Sequence, residues 1–216
     1  MKIFTIIKED SKRIPGKNFI DVNGHPLWWH LCSELDGLDV TVNTDSQKFL
    51  RQLQGSNLKS IKVIERDQKH IDWENDKSND SSPVEDMLFD FCETIDSTEI
   101  VILTHITSPF LKKKTIFDAV DTLQNDYNAK SIHSVHQVQD FVWVEKNNEA
   151  RPVNFCTDRV QRTQDLPHIL VSKGAFFIAK AGDILEQRKR LPEPLLFFRL
   201  NHKQAIEIDN YEPDTR

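Results

Sequence analysis

Residues Ile3–Asn18 read IFTIIKEDSKRIPGKN, an apolar run that passes into a loop rich in cations. The run Ile3–Ile7 predicts a short buried strand. The loop contains Lys12, Arg13 and Lys17 and a Pro-Gly turn, and a tight turn lets main-chain N–H groups approach phosphate oxygens closely. Open α/β folds bind their ligands at the carboxyl ends of parallel strands. The stretch therefore indicates a phosphate site, and a solvated basic turn is the alternative.

The first half of the chain continues as an alternation of strand and helix patterns. Further strands are predicted at Asp39–Val42, Ile61–Ile64 and Ile100–Leu103, and helices at Pro26–Leu35, Gln47–Leu53 and Pro83–Ile95. Thr44 or Asp45 is expected to cap the second of these helices. The segment Asp67–Ser82 is highly charged with little periodicity, so we expect a surface loop there. The alternation predicts an α/β fold with a mostly parallel sheet and helices on both faces.

The second half has a different pattern. Lys130–Val135 and Phe141–Glu145 read as strands, and a polar turn follows them. We interpret the pair as an antiparallel excursion from the main sheet. A strand at Ala175–Ala179, a helix at Asp183–Lys189 and a last strand at Gln204–Asp209 complete the prediction.

Length and composition favour one soluble domain. The 216 residues carry 28 Lys and Arg against 34 Asp and Glu, a net charge of −6, so we expect no nucleic-acid partner. No apolar run has the length of a membrane span, and the N-terminus lacks the pattern of a secretory signal. The three cysteines are an odd number and far apart, which favours reduced thiols. We therefore expect a cytoplasmic protein without a membrane partner.

An acidic pair stands near the end of the last predicted strand. Glu207 and Asp209 are two residues apart, so strand geometry would project both carboxylates to one side. Mg²⁺ prefers one or two carboxylates together with water and phosphate oxygens. A metal-binding pair beside a cationic loop is typical of nucleoside triphosphate chemistry. An exposed acidic strand end is the alternative.

Two further stretches could contact a ligand. Leu103–Phe110 places small hydroxyls at the end of a buried strand, although Ser108 with Pro109 could equally begin the next helix. In the loop Arg159–Pro167, Arg162 and Gln164 would suit a polyhydroxylated acidic substrate, because a guanidinium binds a carboxylate bidentately. Taken alone, that loop is read as surface.

In their order and separations these stretches resemble the cytidylyltransferases that activate acidic sugars, above all the CMP-sialic acid synthetases. The resemblance spans nearly the whole chain. Its motifs are the nucleotide loop Ser11–Asn18, the second-strand end Asn43–Ser46 and the central substrate motif Thr107–Pro109, together with Asn23–Leu27, Arg162–Pro167 and Glu207–Asn210.

The resemblance implies a fold, a reaction and an assembly. The fold is a Rossmann-like sheet of the nucleotide-diphospho-sugar transferase type, here one cytidylyltransferase-like domain over residues 1–216. In the reaction, the anomeric hydroxyl of a 2-keto sugar acid attacks the α-phosphate of CTP, and CMP-sugar and pyrophosphate form with Mg²⁺ as cofactor. A homodimer forms through a small antiparallel extension, for which residues 130–153 are the candidate.

The matched motifs also imply roles for individual residues. Lys17, Glu207 and Asp209 would be catalytic, the two carboxylates by holding Mg²⁺. The nucleotide would be bound by Lys8, Lys12, Arg13, Lys17, Asn18, Arg66, Ser81 and Ser82. The sugar acid would be bound by His105, Thr107, Ser108, Arg162 and Gln164.

The chain departs from the family pattern inside the site. Lys8-Glu9-Asp10 stands where the family usually has arginine and then small residues, so two acids approach the expected place of the triphosphate. His105 replaces a usual Gln, Glu207 a usual Asp, and Lys173 a usual Asn. These departures leave two hypotheses, an active enzyme for a nonulosonic or related acidic sugar and a non-catalytic homologue that binds nucleotide or sugar. An enzyme using another nucleotide is a third.

Overall fold

A computed structural model describes residues 1–9, 11, 13–76, 78–79 and 81–209 of the chain. Asp10, Lys12 and Asn210, which the sequence analysis singled out, lie outside these residues. Within the described ranges, no helix has the length and apolar character needed to cross a bilayer.

Strands and helices alternate along most of the chain. The strands are β1 (Lys2–Ile7), β2 (Asp21–Val22), β3 (His25–Pro26), β4 (Val40–Thr44), β5 (Ile61–Glu65), β6 (Ile100–Thr104), β7 (Ser131–Val138), β8 (Trp143–Lys146), β9 (Glu149–Pro152), β10 (Ile169–Lys180) and β11 (Leu195–Arg199). The helices are α1 (Leu27–Glu34), α2 (Gln47–Gln54), α3 (Gln68–Asn75), α4 (Val84–Glu93), α5 (Lys113–Gln124) and α6 (Ala181–Gln187).

Seven strands form the central sheet in the order β11-β7-β10-β6-β1-β4-β5. β10 pairs antiparallel with both β6 and β7, and the other pairings of the sheet are parallel. The mixed, mostly parallel sheet predicted from the sequence is therefore confirmed. The carboxyl ends of β1, β4 and β6 lie along one edge, since Ile7 pairs with Thr44 and Thr5 with Thr104.

Helices cover both faces of this sheet. Strand β1 shows why, because successive side chains point to opposite faces. Ile3 and Ile7 belong to the core beneath α1, α2 and α5, whereas Phe4 belongs to the core beneath α4 and α6. The ring of Phe4 stacks on Phe91 of α4 with 4.7 Å between centroids. All four residues are buried, so β1 anchors both layers.

Two predicted elements were wrong. The expected loop Asp67–Ser82 contains α3, which begins where the Asp67 side chain accepts a hydrogen bond from the Lys69 N–H at 2.9 Å. The expected strand Gln204–Asp209 is irregular, and its Ile208 N–H donates to the Thr107 carbonyl at 2.8 Å instead of joining a ladder.

The segment proposed as an antiparallel extension divides in two. β7 is an interior strand of the central sheet between β10 and β11. β8 and β9 form a separate two-stranded hairpin, in which Trp143 pairs with Pro152. Asn147 and Asn148 have φ angles of 54° and 62° in the turn, the left-handed geometry that two-residue hairpin turns require. Of the two strand regions in residues 130–153, only the β8–β9 hairpin therefore lies outside the central sheet.

Candidate functional site

A cleft of about 470 Å³ opens at the carboxyl edge of the central sheet. It combines cations, carboxylates and one imidazole from segments far apart in sequence. The polar and aromatic residues that line it include Lys8, Ser11, Arg13, Lys17, Asn18, His105, Thr107, Phe177, Arg190, Glu207 and Asp209. Parallel strands end at this edge, which is the place where open α/β sheets bind ligands.

Lys17 and Asp209 form the best-defined ion pair of the cleft. Gly16 adopts a left-handed φ of 64°, a conformation that suits glycine, and turns the chain into a short 3-10 helix that begins at Lys17. The Lys17 side chain is 10% exposed, and its Nζ lies 2.9 Å from Asp209 Oδ1. Arg13 approaches the same oxygen at 3.5 Å. Burying an ammonium group requires a counter-charge, and Asp209 supplies it.

The residues before the loop take different directions. Lys8 lies in the cleft wall, and its carbonyl accepts a hydrogen bond from Asn18 Nδ2 at 2.8 Å. The Glu9 carboxylate instead accepts hydrogen bonds from the Ser46 hydroxyl and from the Lys48 N–H, at the N-terminus of α2. An anion is stabilised there by the helix dipole. Glu9 is therefore directed at α2, which removes one of the two acids from the suspected phosphate position.

Ser46, not Thr44 or Asp45, caps α2. Its hydroxyl accepts a hydrogen bond from the Phe49 N–H at 3.0 Å. Asp45 accepts from the Glu9 N–H at 3.3 Å, and the Thr44 hydroxyl accepts from the Ser46 N–H. Asp45 and Ser46, which follow β4, therefore hold Glu9 in place, and Thr44 holds Ser46.

Arg66 is fully buried beside the cleft and joins three elements. Its Nε donates to Asn43 Oδ1 at 3.2 Å, one terminal nitrogen donates to Glu74 at 3.0 Å, and the other to the Ile7 carbonyl at 3.3 Å. Glu74 also pairs with Lys8 at 2.7 Å. Glu74 of α3 thus contacts the residues that follow β1 and β5, and it was not predicted because a loop was expected there.

His105 follows β6 and is the titratable group most strongly perturbed in the cleft. Burial, and next the positive charge of Arg190, lower its pKa to about 4. Its ring meets Phe177 edge to face at 5.9 Å. At neutral pH the imidazole is therefore uncharged, with one nitrogen that donates and one that accepts.

Thr107 and Ser108 lie on the turn after His105. Thr107 lines the cleft and is nearly buried. Ser108 is fully buried, and its hydroxyl has no hydrogen-bond partner among the described residues. Ser108 does not begin a helix, because α5 starts at Lys113 after the flanking residue Lys112. The proposed capping role of Ser108 and Pro109 is therefore wrong.

Glu207 and Gly174 are in close contact at the irregular part of β10. Glu207 Oε1 accepts a hydrogen bond from the Gly174 N–H at 2.5 Å, and Oε2 lies 3.5 Å from Lys173 Nζ. A Cβ at position 174 would lie 2.8 Å from Glu207 Oε1 and 3.2 Å from the His105 ring. The register of β10 against β7 shifts between Ser172 and Phe177, around this glycine.

The donor set fits Mg²⁺ through one carboxylate more readily than through two. Asp209 is about one-third exposed at the cleft, and phosphate groups would compete with it for Lys17 and Arg13. Each oxygen of Glu207 has a partner on β10. Among the described residues, no group of three or more His, Cys, Asp or Glu side chains could hold a metal ion. Mg²⁺ accepts a single carboxylate when waters and phosphate oxygens complete its shell.

Six predicted contact residues are not among the described residues that line the cleft, namely the buried Arg66 and Ser108 and the exposed Ser81, Ser82, Arg162 and Gln164. Arg162 is 73% exposed and pairs with Asp165 through Nε at 2.7 Å. Gln164 is also exposed, and its carbonyl accepts from Gln139 at 3.2 Å.

Arg190 and Phe177 line the cleft but were not predicted. Phe177 lies in a strand whose apolar pattern predicts only burial. Arg190 follows α6 in a basic stretch that reads as solvated surface. The sequence carries no motif that would have distinguished either residue.

The chain is similar to known proteins both in sequence and in fold. The sequence profile of a family described as cytidylyltransferase matches residues 8–195. A CMP-N,N′-diacetyllegionaminic acid synthase of Legionella pneumophila is 28% identical over 227 residues, covering 97% of this chain and 91% of that protein. An N-acylneuraminate cytidylyltransferase of Streptococcus agalactiae serotype V is 24% identical over 226 residues, covering 97% of this chain. The match covers 51% of this streptococcal relative, so the chain spans about half of that protein's length.

Solved structures share the fold at low sequence identity. A CMP:2-keto-3-deoxy-manno-octonic acid synthetase complexed with CTP superposes with a TM-score of 0.61 at 18% identity, over 92% of this chain and 89% of that one. A 4-diphosphocytidyl-2C-methyl-D-erythritol synthase gives a TM-score of 0.63 at 9% identity, over 97% and 93% of the two chains.

Proposed function

The chain belongs to the cytidylyltransferase family, and from this premise we propose that it activates an acidic sugar with CTP, releasing pyrophosphate. The substrate class is a sialic acid or related nonulosonic acid. The names of the Legionella and streptococcal relatives support this class. The product would be the corresponding CMP-sugar.

One observation carries the proposal, namely the arrangement of Lys17, Arg13 and Asp209. Two cations converge on one carboxylate oxygen, at 2.9 and 3.5 Å, where the loop after β1 meets the cleft. A triphosphate brings several negative charges that these cations can neutralise. The carboxylate holds the two side chains in position until the nucleotide arrives, which lowers the reorganisation that catalysis needs.

The reaction places demands that these residues can meet. The sugar hydroxyl oxygen forms a bond to the α-phosphorus and loses its proton, while the bond between the α-phosphorus and the bridging oxygen breaks. Pyrophosphate leaves with that bond's electron pair, so negative charge grows on the leaving group. Lys17 and Arg13 would neutralise this charge. Asn18 would keep the loop in place through its bond to the Lys8 carbonyl.

Mg²⁺ is part of the proposal. Asp209 would hold the ion, while Glu207 would remain paired with Gly174 and Lys173 of β10. When bound, Mg²⁺ would supply further positive charge to the phosphates. His105, uncharged at neutral pH, would offer hydrogen bonds to the sugar without adding a charge.

Pyrophosphate release tests this function. The purified protein is incubated with CTP, Mg²⁺ and a panel of nonulosonic acids, and release is expected with at least one acid. Competition binding with UTP, GTP and ATP measures nucleotide preference, and we expect CTP to bind tightest. If CTP binds but no acid supports turnover, that result contradicts the proposed activity and supports the alternative of a non-catalytic homologue.

Lys17→Gln is the decisive variant in that assay. Removing a buried cation that faces the phosphates should lower the rate by about 100-fold or more. Lys114→Gln is the matched control, because Lys114 is 81% exposed and pairs with Asp118 on its own helix. An undiminished rate in Lys17→Gln would contradict the role assigned to Lys17.

We also propose a homodimer and a cytoplasmic location. The β8–β9 hairpin supports the dimer, since Trp143, Val144 and Val153 are 50%, 53% and 54% exposed. Exposed apolar side chains concentrated on one short hairpin favour a protein interface. The free thiols of Cys32, Cys92 and Cys156 fit a reducing compartment.

A further inference from the structure

Arg190 lines the same cleft as the loop after β1, but it is distant from that loop in sequence and has different partners. Its guanidinium carbon lies 4.7 Å from the centre of the Phe177 ring. Phe177 in turn stacks on His133 at 4.4 Å and meets His105 edge to face. A guanidinium that lies against an aromatic ring has restricted orientation, which prepares it for a planar partner.

The ion pair of Arg190 is weak and exchangeable. Its Nε lies 3.5 Å from Glu85 Oε1, and the two side chains are 40% and 50% exposed. Exposed pairs of this kind contribute little because water screens them. A ligand carboxylate that reaches Arg190 inside the cleft would therefore meet little competition from Glu85.

The charges of the cleft divide between two groups. Lys17 and Arg13 share Asp209 and face the predicted triphosphate. Burial, and next the charge of Arg190, disfavour protonation of His105, so His105 stays neutral and Arg190 provides the positive charge near it. A sugar acid carries one carboxylate in addition to its hydroxyls, and that anion needs a cation of its own.

The residue expected for this task lies elsewhere. Arg162 is 73% exposed and its guanidinium is bound bidentately by Asp165, with Nε at 2.7 Å and a terminal nitrogen at 3.2 Å. It is not among the described residues that line the cleft. Two described arginines line the cleft, Arg13 and Arg190, and Arg13 pairs with Asp209.

We propose that Arg190 binds the carboxylate of the sugar acid and so determines that the substrate is acidic. This inference rests on the proposed function, because it assigns one contact within the same site. The guanidinium would form two parallel N–H···O bonds to the carboxylate, with Phe177 behind it and His105 bonding a neighbouring hydroxyl.

Calorimetric binding separates this role from a merely structural one. The probes are N-acetylneuraminic acid, N,N′-diacetyllegionaminic acid and the methyl ester of whichever acid binds. Arg190→Gln should weaken binding of the acid by about 10-fold or more while leaving binding of the ester unchanged. Arg190→Lys should recover part of the loss, because it restores the charge without the fork. CTP affinity should change less than about 2-fold, since the partners of Arg190 are Glu85 and Phe177 and not a described residue of the nucleotide loop.

Arg188→Gln is the matched control. Arg188 is two positions away, and its guanidinium carbon lies 4.2 Å from the centre of the Phe89 ring on α4. The Arg188→Gln variant should bind each acid with the same affinity as the unmodified protein. Thermal melts of the Arg190 variants confirm that a loss of binding is not a loss of fold.

The outcomes separate the two proposals. The inference is overturned if Arg190→Gln binds the acid normally, if it loses CTP affinity instead, or if the unmodified protein binds neither acid. If the unmodified protein forms CMP-sugar and Arg190→Gln does so with an unchanged KM for the acid, the function stands and this inference fails. If the acid binds through Arg190 and no pyrophosphate is ever released, the inference stands and the proposed function fails.

Discussion

His105 shows how the environment of one residue sets its chemistry. A histidine in solution is half protonated near pH 6.5, but burial and the nearby Arg190 charge lower the pKa of this one to about 4. The uncharged ring can donate one hydrogen bond and accept another. A glutamine, the residue that the family commonly has at this place, offers the same pair of functions.

The lowered pKa predicts how stability depends on pH. The folded protein keeps His105 neutral down to about pH 4, whereas the unfolded chain protonates it near pH 6.5. The contribution of His105 to stability is therefore fully present above pH 6.5 and is lost as pH falls toward 4. Between pH 7 and pH 4.5, the unfolding free energy of His105→Gln should therefore fall by about 2 kcal/mol less than that of the unmodified protein.

Urea unfolding at the two pH values measures this effect. His133, whose pKa burial also lowers, is present in both proteins, so its contribution cancels in the difference between them. Equal pH dependence in the variant and the unmodified protein would show that His105 does not titrate as its burial requires.

Gly174 and Glu207 form the second contact that can be tested at the scale of single residues. A Cβ at position 174 would lie 2.8 Å from Glu207 Oε1, so Gly174→Ala should destabilise the protein by about 1 to 3 kcal/mol. Glu207→Ala leaves the Gly174 N–H without its carboxylate partner and also destabilises. The double variant should lose less than the sum, because removing Glu207 removes most of the overlap. Denaturant unfolding of the three variants gives the coupling energy, and simple additivity would contradict the contact.

At the scale of elements, the sequence was informative where a strand or helix buries an apolar face. Strands β1 and β6 were found because each contains a compact apolar run, and β4 and β5 because valine and isoleucine recur at short spacing along them. α3 was missed because its buried face contains mainly His70. Its anchorage depends on the pairs that Glu74 makes with Lys8 and Arg66, and no local pattern encodes contacts between distant segments.

The candidate site was partly predictable for a related reason. Lys17 and Asp209 belong to motifs whose order along the chain indicates one site, and the fold brings them within 2.9 Å. Glu207 was assigned to a strand because its neighbours alternate in polarity. A strand must pair with a neighbouring strand, however. Here the Ile208 N–H donates instead to the Thr107 carbonyl in the turn after β6. Arg190 carries no local signal, because only packing against Phe177 brings it into the cleft.

The contact between Glu9 and α2 gives a prediction at the scale of elements. Glu9→Gln should lower the unfolding free energy by about 0.5 to 1 kcal/mol, because an anion is lost from the positive end of the helix dipole. CTP affinity should change less than about 2-fold, since Glu9 is directed at Ser46 and Lys48. Ser46→Ala is the control, because it removes the cap of α2 without changing charge. CTP binding that tightens about 10-fold in Glu9→Gln would show that the carboxylate opposes the triphosphate.

At the scale of the whole molecule, the candidate site and the exposed apolar side chains of β8 belong to different sheets. The cleft lies at the carboxyl edge of the central sheet, while β8 and β9 form their own hairpin. On this hairpin Trp143 meets Phe155 edge to face at 5.0 Å, and Phe141 meets the same ring at 5.0 Å. A group of packed aromatic rings that remains half exposed would gain free energy by burial against a second copy.

This surface predicts which substitutions weaken the proposed dimer. Trp143→Ser should raise the dimer dissociation constant by about 10-fold or more, because large aromatic side chains dominate interface energies. Tyr127→Ser is the matched control, since Tyr127 is fully exposed at 101% and lies between α5 and β7 rather than on the hairpin. Sedimentation over a range of protein concentrations measures both constants. The interface would have to lie elsewhere if Trp143→Ser stays dimeric at concentrations where the unmodified protein begins to dissociate. A monomer at every concentration of the unmodified protein would exclude the dimer itself.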